Sequence, residues 1–460
     1  MPDTIAAIAT AQGAAAVGIV RISGADTRRV LGALFAPTSG RAVSDLPPRC
    51  MAYGTVRDAE GRTLDHALAV TFSAAHSYTG EESAELHCHG SPVVLQEVLR
   101  AAFAAGARQA RAGEFTQRAF LNGKIDLTEA EAVIDLIDAE TAEAARNAAA
   151  QVDGALRRPI ERVYNALLDL TGRFYAVVDY PDEDIEDASL AQIERVLTQS
   201  ERTLAALLGT FERGRVLKRG VATAIVGAPN AGKSSLLNAL VGYDRAIVTD
   251  IPGTTRDTVE EKAVVGGVLL RLIDTAGIRE TDDAVEKLGV ERSRRAVEDA
   301  ELVIVVADGS QTPLAVEPDI LTLAAKAPHW LLAISKDDLK PAVKTAAWRL
   351  PDGAPAPEHL ISFNSVTPDG LNVLIDAIRD CFPSGLPANG TLLTNARQAE
   401  AVGRALDAVR AAKGALGAGM TPDVVLTEAE GALAALGELS GRTAREDMVA
   451  RIFERFCVGK

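Results

Sequence analysis

One eight-residue segment, Gly227 to Ser234, constrains the fold of this chain more than any other part of the sequence. It reads GAPNAGKS, which fits the pattern GxxxxGK[ST], and it lies between an apolar run, VATAIV, and a helix-like run, SSLLNALVG. Glycines let the backbone approach a phosphate group closely, and loop N–H groups and the helix N-terminus then face the anion. We therefore predict a P-loop domain in which Lys233 contacts the β- and γ-phosphates and Ser234 binds Mg²⁺.

A second polar segment, Asp274-Thr275-Ala276-Gly277, follows the next β-like run, LLRLI. We expect Asp274 to hold Mg²⁺ through water and the Gly277 N–H to contact the γ-phosphate. The residue after this segment is Ile278, where Ras-like enzymes position water with glutamine. Isoleucine can neither donate nor accept a hydrogen bond. Either hydrolysis is slow or another group positions the water.

The segment Ser335-Lys336-Asp337-Asp338 predicts guanine as the base, because it follows the run WLLAI where GTPases have Asn-Lys-x-Asp. Asp338 would accept hydrogen bonds from guanine N1–H and N2–H₂, and Lys336 would cover the base. Ser335 replaces asparagine, and losing one or two hydrogen bonds costs about 0.5–3 kcal/mol. We predict weaker nucleotide binding without loss of guanine preference. Downstream, Ser362-Phe363-Asn364 stands where Ser-Ala-Lys is usual, so that Asn364 is a second departure, and the Phe363 N–H is expected to meet guanine O6.

Periodicity divides the chain into four segments. Residues 1–120 mix β-like runs (GIVRIS, HALAVTF, SAELHCHG) with the helical run PVVLQEVLRAAFAAGA, and residues 121–215 are helical. The latter contain one helical run, LTEAEAVIDLIDAETAEAARNAAAQVDGAL, capped by Asp126 or Thr128, and a second helix that reaches about Gly214. Residues 216–383 alternate β and α, which predicts a mostly parallel sheet covered on both faces, and residues 384–460 are helical again.

In the α/β segment we predict strands at VATAIVG, LLRLIDTAG, LVIVVADGS, WLLAISKDD and HLISFNS, and helices at 233–242, 285–299 and 369–382. Gly266-Gly267 between two β runs predicts a hairpin, and therefore one antiparallel edge. The simplest architecture inserts this α/β domain into a discontinuous helical domain.

Composition restricts the class of protein. With 48 basic and 63 acidic residues the net charge is −15, which argues against a broad surface for naked nucleic acid. Four scattered cysteines (Cys50, Cys88, Cys381 and Cys457) do not make a disulfide framework and fit a reduced, cytosolic setting. The chain lacks a signal-peptide pattern and an apolar run of membrane-spanning length, so we expect a cytoplasmic protein.

These motifs, together with long stretches outside them, resemble the MnmE (TrmE) family of tRNA-modification GTPases. The resemblance rests on DTIAAIATAQGAAAVGIVRISG, SYTGEESAELHCHG, AGEFTQRAFLNGKIDLTEAEAVIDLIDAET, GAPNAGKSSLLNAL, IVTDIPGTTRD, DTAGIRE and the terminal RIFERFCVGK. It implies an α/β and α multidomain fold. Its parts would be an α+β folate-binding and dimerisation domain (1–120), a helical domain in two pieces (121–215 and 384–460), and an inserted Ras-like P-loop G domain (216–383).

The resemblance also implies a reaction and partners. With a flavoprotein of the MnmG (GidA) type, in a heterotetramer built on a homodimer, such proteins add an aminomethyl or carboxymethylaminomethyl group at carbon 5 of the wobble uridine. The implied cofactors are GTP, Mg²⁺, K⁺ and 5,10-methylene- or 5-formyl-tetrahydrofolate, and G-domain dimerisation would drive hydrolysis. Because the chain is acidic, we expect tRNA to bind largely through the partner, and we expect no membrane contact.

Site residues are implied by position in the family motifs. Potassium would bind Asn230, Thr249, Ile251 and Thr254, and Mg²⁺ would bind Ser234 and Thr255. Lys233 and Glu286 would be catalytic, with Glu286 orienting water through another water. Folate would bind Arg21, Glu85, Lys124 and Lys460. The full GTP-binding set is Asn230, Ala231, Gly232, Lys233, Ser234, Ser235, Thr249, Asp250, Ile251, Pro252, Gly253, Thr254, Thr255, Asp274, Thr275, Ala276, Gly277, Ser335, Lys336, Asp338, Ser362 and Phe363.

Several residues have competing interpretations. Cys457 is either a nucleophile or, as we favour, a small buried residue near the folate site. His87-Cys88-His89 alternates faces along a strand, which favours a structural or dimer role over zinc. We expect Arg279 to be a solvated loop residue rather than an arginine finger. We expect the run Arg292 to Arg295 to be a solvated helix face rather than a partner contact. We expect the acids at 182–187 to form a solvated loop rather than a metal site.

Two other functions remain open on the sequence. A ribosome-assembly or RNA-chaperone GTPase of the Era kind would share the G-domain motifs, but we see no basic RNA-binding module. A membrane-remodelling GTPase would need a basic amphipathic helix or a lipidation signal, and we see neither. Binding of 5-formyl-tetrahydrofolate by the N-terminal region would distinguish a tRNA-modification GTPase from these two alternatives.

Overall fold

The computed structural model of the chain describes residues 3–11, 13–179, 189–243, 261–273, 295–310, 316, 318–336, 355–364, 368–382, 390–443, 446–454 and 456–459. These residues form two compact units. The first unit comprises residues 1–134, 151–204 and 400–460, and the second comprises 135–150 and 205–399. The predicted domain boundaries at 120, 215 and 383 stay predictions.

A seven-stranded sheet organises the N-terminal part of the first unit, with strand order β3-β4-β5-β6-β2-β1-β7. The strands are β1 (Ile5–Ile8), β2 (Ala15–Ser23), β3 (Phe35–Pro37), β4 (Ala52–Arg57), β5 (Thr63–Phe72), β6 (Ser83–Gly90) and β7 (Arg108–Gln109). The predicted runs GIVRIS, HALAVTF and SAELHCHG correspond to β2, β5 and β6 and are confirmed. Apolar residues on one face, such as Val20, Leu86 and Ala69, are buried with α1 (Thr27–Leu34) and α2 (Pro92–Ala104).

Nine further helices lie in the described residues outside the core of the α/β segment. They are α3 (Glu114–Leu121), α4 (Leu127–Ile137), α5 (Ala142–Val152), α6 (Arg157–Asp179), α7 (Leu190–Leu208), α8 (Phe211–Arg219), α12 (Ala396–Gly417), α13 (Pro422–Ser440) and α14 (Glu446–Phe453). The predicted cap of α4 is confirmed: the Asp126 carboxylate accepts from the Glu129 N–H at 2.8 Å, and Glu129 accepts from the Asp126 N–H at 2.7 Å. This reciprocal pair satisfies two N–H groups that the helix itself leaves unbonded.

Two of the predicted long helices were wrong in extent. The single run predicted from residue 127 to residue 156 is interrupted after Ile137, because the Thr141 hydroxyl accepts from the Ala144 N–H and starts α5. A second interruption follows α5 at Gly154, whose φ of 80° lies outside the helical region. The helix predicted to reach Gly214 ends at Leu208, and α8 begins after Thr210.

The second unit is built on a six-stranded sheet of order β13-β12-β11-β8-β10-β9. Its strands are β8 (Val221–Val226), β9 (Glu261–Val265), β10 (Val268–Leu272), β11 (Leu302–Asp308), β12 (His329–Ser335) and β13 (His359–Ser362). Its helices include α9 (Lys233–Tyr243), α10 (Pro318–Ala324) and α11 (Asn372–Cys381). Of the predicted helix at 285–299, residues 295–299 are described, and 295–298 are helical.

The α/β prediction is confirmed in this unit. All described pairings in the sheet are parallel except that of β9 with β10. Those two strands form the predicted hairpin, in which Gly266 and Gly267 have φ of 59° and 88°. Buried clusters lie on both faces of the sheet, as a doubly covered parallel sheet requires.

Parallel pairing positions the functional segments. The carboxyl ends of β8, β11, β12 and β13 lie at one edge of the sheet, and the segments after them meet there. No helix in the described part of the chain is long and apolar enough to cross a membrane.

Candidate functional site

The loop between β8 and α9 has a backbone that only glycine accommodates at its first position. Gly227 has φ of 148°, and a Cβ atom there would lie 2.1 Å from the Val306 carbonyl oxygen. Gly232 has φ of 97°, also in the region that favours glycine. Asn230 has φ of 60°, which asparagine tolerates better than most residues. The loop can therefore wrap its N–H groups around an anion at the start of α9.

Lys233 is held at this loop by the loop's own carbonyl groups. Its ammonium donates to the carbonyl oxygens of Gly227 at 3.0 Å and Ala228 at 2.8 Å. An ammonium has three N–H donors, so these two bonds leave one for a phosphate oxygen. Burial lowers the pKa of Lys233 from its usual value, and a bound phosphate would favour the charged form again.

The segment after β12 is attached to the same loop. The Lys336 ammonium donates to the Asn230 carbonyl oxygen and to the Asp308 carboxylate, both at 2.7 Å. Burial opposes ionisation of Asp308, but hydrogen bonds from Lys336 and Ser310 outweigh it and lower its pKa. Lys336 therefore connects the ends of β11 and β12 to the phosphate loop.

Ser335 occupies the position where GTPases have asparagine, and it contacts the phosphate loop. Its buried Oγ lies 2.5 Å from the Ala231 carbonyl oxygen and 3.2 Å from that of Ala307. A hydroxyl has one proton and can donate to only one of these at a time. The serine thus retains a link to the loop but not the two simultaneous N–H donations that an amide offers.

One predicted contact of the base site is wrong. The Phe363 N–H donates to the Ile334 carbonyl oxygen at 2.9 Å, and its side chain is buried in the core. That N–H is therefore not available to guanine O6 as predicted, because the chain leaving β13 continues the pairing with β12. Ser362 is the last residue of β13, directly before it.

The other predicted nucleotide residues divide into two groups. Ser234 and Ser235 lie exposed in the first turn of α9, beside the loop. The remaining ones lie outside the described residues, as do Glu286, Arg279, Arg292, Arg294, Lys460 and the acids at 182–187. That set of nucleotide residues is Thr249, Asp250, Ile251, Pro252, Gly253, Thr254, Thr255, Asp274, Thr275, Ala276, Gly277 and Asp338.

Sequence reasoning missed Asp308 at this site. It ends β11, and its carboxylate accepts from Lys336 and from the Ser310 backbone and hydroxyl. The available signal was its place at the end of the buried run LVIVVAD, at the same sheet edge as the phosphate loop.

A second cluster of predicted residues lies in the first unit. Arg21 on β2 and Glu85 on β6 are cross-strand partners, and the guanidinium donates to the carboxylate at 2.9 Å. The Arg21 guanidinium also lies 5.7 Å from the centre of the Phe115 ring and 3.5 Å from the Gly459 carbonyl oxygen. The Arg21–Glu85 pair therefore has an aromatic ring and the C-terminal segment beside it.

The C-terminal segment is attached to this part of the unit by backbone contacts. The Gly113 N–H donates to the Cys457 carbonyl oxygen at 3.3 Å, and Ala112 and Val458 form an antiparallel bridge. Gly459 has φ of 101°, and a Cβ there would lie 2.3 Å from the Ile8 carbonyl oxygen. Cys457 itself is exposed, so our expectation that it is buried was wrong.

Lys124 does not contact the Arg21–Glu85 pair in the described structure. Its ammonium donates to the Ala75 carbonyl oxygen at 2.8 Å. Tyr78, which follows soon after Ala75, donates or accepts a hydrogen bond with Thr116 at 3.0 Å. Burial raises the pKa of Tyr78, against the opposing effects of Thr116 and the nearby Arg21 charge. Tyr78 is a member of this cluster that the sequence did not indicate.

A network of ion pairs, also missed in the sequence, supports the same region. Glu114, at the start of α3, accepts hydrogen bonds from Arg108 and Arg118, and Arg118 also donates to Glu81 and Asp3. Burial opposes ionisation of Glu114, but these arginines and the Arg111 N–H hold its pKa at about 2. The network therefore joins residues far apart in the sequence around a buried carboxylate.

The second face of the N-terminal sheet carries exposed apolar side chains. Val17, Leu68 and Tyr53 are 53%, 38% and 53% exposed, although they lie on β2, β5 and β4. Cross-strand pairing runs from Tyr53 to Leu68, from Leu68 to His87 and from His87 to Ile19, and Val17 lies two residues before Ile19 on the same face. The three residues of His87-Cys88-His89 diverge: His87 contacts Glu85, His89 contacts Asp65 and Cys88 is buried on the other face.

Comparisons with known proteins cover almost the whole chain. The family model described as "GTP-binding protein TrmE N-terminus" matches residues 4–124, and the model described as "MnmE helical domain" matches residues 127–457. A tRNA modification GTPase MnmE from Roseiflexus sp. is 42% identical over 465 residues, covering 100% of this chain and 99% of that protein. One from Heliobacterium modesticaldum is 42% identical over 466 residues, with the same coverage. Among solved structures, the G domain of the T. maritima FeoB iron transporter is 27% identical, with a TM-score of 0.24, covering 35% of this chain and 96% of that chain.

Proposed function

This chain belongs to the MnmE family of tRNA modification GTPases, and from that membership we propose a potassium-activated GTPase that serves modification of the tRNA wobble uridine. GTP hydrolysis in tRNA modification is the family activity. The finer steps proposed here are activation by a monovalent cation, a folate one-carbon donor, a homodimer and a flavoprotein partner.

The phosphate loop carries the proposal. Its glycine-dependent backbone, its link to Lys336 and the position of Lys233 together form a cradle for a nucleotide triphosphate. Lys233 would stabilise the charge that develops on the β- and γ-phosphate oxygens. Asp338 would select guanine, and Ser335 would weaken binding because it donates one hydrogen bond where asparagine donates two.

Asn230 fits a role in binding a cation beside the phosphates. Its carbonyl oxygen is fixed by Lys336 and its residue is exposed, so its side-chain oxygen can reach an ion at the loop. Thr249, Ile251 and Thr254 would supply further oxygens, while the exposed Ser234 hydroxyl and Thr255 would hold Mg²⁺. Potassium supplies, when bound, the positive charge that an arginine finger supplies in other GTPases.

Glu286 would position the attacking water, since Ile278 occupies the place of the glutamine. The carboxylate would accept a hydrogen bond from one water molecule, and that water would orient the attacking water molecule. This assignment gives the chain its own water-positioning group, without a residue from another protein.

The Arg21–Glu85 pair suits a tetrahydrofolate. A carboxylate can accept hydrogen bonds from the edge of a pterin, and a guanidinium, with Lys124 and Lys460, can attract the folate glutamate. Tyr78 adds exposed apolar surface near the pair, and the Arg21 guanidinium packs against the buried Phe115 ring. The bound folate, as the 5,10-methylene or 5-formyl form, would supply the one-carbon unit for carbon 5 of the uridine.

The exposed apolar part of the second face of the N-terminal sheet supports a homodimer. Its exposed apolar side chains, Val17, Leu68 and Tyr53, make the kind of surface that another protein chain covers. We propose that two copies meet there and that a flavoprotein of the MnmG type completes a heterotetramer. The net charge of −15 leads us to place most of the tRNA contact on that partner.

The cation requirement tests the proposal. GTP hydrolysis should be faster in potassium chloride than in sodium chloride at equal ionic strength. Asn230→Ala should remove the difference between the salts, whereas Lys326→Ala, on the exposed surface of the same unit, should preserve it. Equal rates in both salts for the unaltered chain would refute potassium activation.

A further inference from the structure

Three metal-binding side-chain types converge at the edge of the second sheet that lies away from the phosphate loop. His329 is the first residue of β12, Glu358 directly precedes β13, and Cys381 is the last residue of α11. β12 and β13 run parallel to each other and, through β11, to β8. The phosphate loop follows the carboxyl end of β8, whereas His329 and Glu358 lie at the amino ends of their strands. The cluster is therefore separate from the nucleotide site.

The separations of the ligating atoms suit one small ion. The His329 Nδ1 lies 3.1 Å from each Glu358 carboxylate oxygen, and the Cys381 Sγ lies 3.3 Å from Glu358 Oε2. All three groups offer an atom within 4.8 Å of the others. Zinc bonds of about 2.0–2.3 Å at tetrahedral angles bring neighbouring ligand atoms to about 3.3–3.6 Å from one another. Small side-chain movements would suffice for all three to bind the same ion.

The surrounding structure holds the ligands in place. The His329 N–H donates to the Glu301 carbonyl oxygen, and the Glu358 N–H donates to that of Trp330, each at 3.2 Å. The imidazole packs edge-on against the Phe382 ring, with 4.7 Å between ring centres. Ligands on strand ends with packed side chains are better ordered than ligands on free loops.

Solvent can reach the cluster. The His329 and Glu358 side chains are 31% and 40% exposed, and Cys381 is partly exposed. His329 and Cys381 also line a cavity of about 380 Å³ together with Pro328 and Phe382. An ion has a path to the three ligands, and a water molecule has room beside them.

We infer that His329, Glu358 and Cys381 bind one zinc ion, with the fourth coordination position left to water. A nitrogen, a carboxylate oxygen and a sulfur suit Zn²⁺, whereas Mg²⁺ prefers oxygen ligands alone. As the zinc–sulfur bond forms, the Cys381 S–H bond breaks and its electron pair stays on sulfur. The proton passes to solvent.

The metal-free arrangement explains why these side chains already lie together. The Cys381 thiol donates a hydrogen bond to Glu358 Oε2 at 3.3 Å when no ion is bound. Zinc would replace that proton and keep the same three side chains in contact.

Cobalt titration of the full chain, first treated with a chelator, tests this site. Co²⁺ should bind one equivalent at the cluster and give the near-ultraviolet charge-transfer absorption of a cobalt–thiolate bond, which Zn²⁺ should then abolish. Cys381→Ser should remove the absorption, and His329→Ala should weaken binding by at least about tenfold. Cys50→Ser, at an exposed cysteine outside the cluster, should leave both unchanged.

Two outcomes would overturn the inference. One is the absence of a cobalt–thiolate band in the unaltered chain, and the other is an equal band in Cys381→Ser. Glu358→Gln provides a second variant if the serine variant does not fold, and it should weaken binding without removing the cysteine. The result does not depend on GTP hydrolysis, because the site lies at the other edge of the sheet.

Discussion

The nucleotide region and the N-terminal region assemble their charged groups in different ways. Around the phosphate loop, Lys233 contacts carbonyl groups of residues five and six positions earlier in the chain. In the N-terminal region, Arg21 contacts Glu85, 64 positions away, and Gly459, 438 positions away. The Lys233 contacts follow from one local backbone conformation, whereas the Arg21 contacts require the sheet and the C-terminal segment to be in place.

This difference predicts separable failures. A change in the phosphate loop should impair nucleotide chemistry and leave the N-terminal region intact. A change in the long-range contacts of the N-terminal region should alter its stability or folate binding and leave the nucleotide region intact. The following variants test that separation, from the largest expected effect to the smallest.

Lys233→Ala should reduce GTP hydrolysis by about a hundredfold or more, because it removes the ammonium that faces the developing phosphate charge. Binding of 5-formyl-tetrahydrofolate, measured by calorimetry on the same preparation, should not change. Lys326→Ala is the matched control for loss of a lysine, since Lys326 is exposed in the same unit. A parallel loss of folate binding in Lys233→Ala would contradict the separation.

Glu114→Gln should destabilise the N-terminal region by about 3 kcal/mol at pH 7. The pKa of Glu114 is held at about 2 in the folded protein, against 4.5 for a free side chain. A depressed folded pKa contributes stability above the unfolded value, and this contribution is lost as the pH falls towards the folded value. In urea unfolding, the variant and the unaltered chain should differ in free energy of unfolding by less than they do at pH 7. The difference should be smaller by about 1 kcal/mol at pH 4 and by about 2 kcal/mol at pH 3.

Glu97→Gln is the control for that measurement, because Glu97 is partly exposed on α2 and forms its ion pair with Arg100 on the same helix. It should change the free energy of unfolding by less than about 0.5 kcal/mol. A pH-independent difference for Glu114→Gln would show that the carboxylate charge is not what stabilises the region.

Arg21→Ala should weaken 5-formyl-tetrahydrofolate binding by roughly ten- to a hundredfold, since a hydrogen bond to a charged group contributes about 1.5–3 kcal/mol. GTP hydrolysis by the variant should remain at the original rate. Arg57→Ala, at an exposed position on β4, controls for loss of a positive charge in the same sheet. Unchanged folate affinity in Arg21→Ala would remove Arg21 from the proposed site.

Ser335→Asn should tighten GDP binding by about fivefold, because the amide can donate two hydrogen bonds where the hydroxyl donates one. Ser335→Ala should weaken it by a similar factor, since the contact with the Ala231 carbonyl oxygen is lost. Fluorescent-nucleotide titration measures both. Weaker binding in Ser335→Asn would mean that the space beside Gly232, rather than the number of donors, controls this position.

The same contrast explains what the sequence predicted well. The α/β sheet, its Gly266-Gly267 hairpin and the loop before α9 follow from periodicity and from glycines that the backbone requires. The capping pair Asp126 and Glu129 is local and was also predictable. Arg21 and Glu85 were predicted as site residues only from the family resemblance, because no local sequence pattern indicates a pair that meets across two strands.

What the sequence missed has physical causes. The helical periodicity of residues 127–156 continues through residues 138–141, so the interruption depends on the Thr141 cap rather than on a change of pattern. Asp308 looked like an ordinary strand end, and its role depends on Lys336 from a different strand. The Phe363 N–H was misassigned because its bond to Ile334 follows from the pairing of β12 with β13.

The most direct test of the central claim is a reconstituted modification assay. The chain would be mixed with the MnmG-type flavoprotein, a tetrahydrofolate donor, GTP and unmodified tRNA, and the wobble uridine analysed by mass spectrometry. Modified uridine should form in potassium, decrease in sodium and be absent with Lys233→Ala. Modification that proceeds equally in sodium, or with the Lys233→Ala variant, would contradict the account.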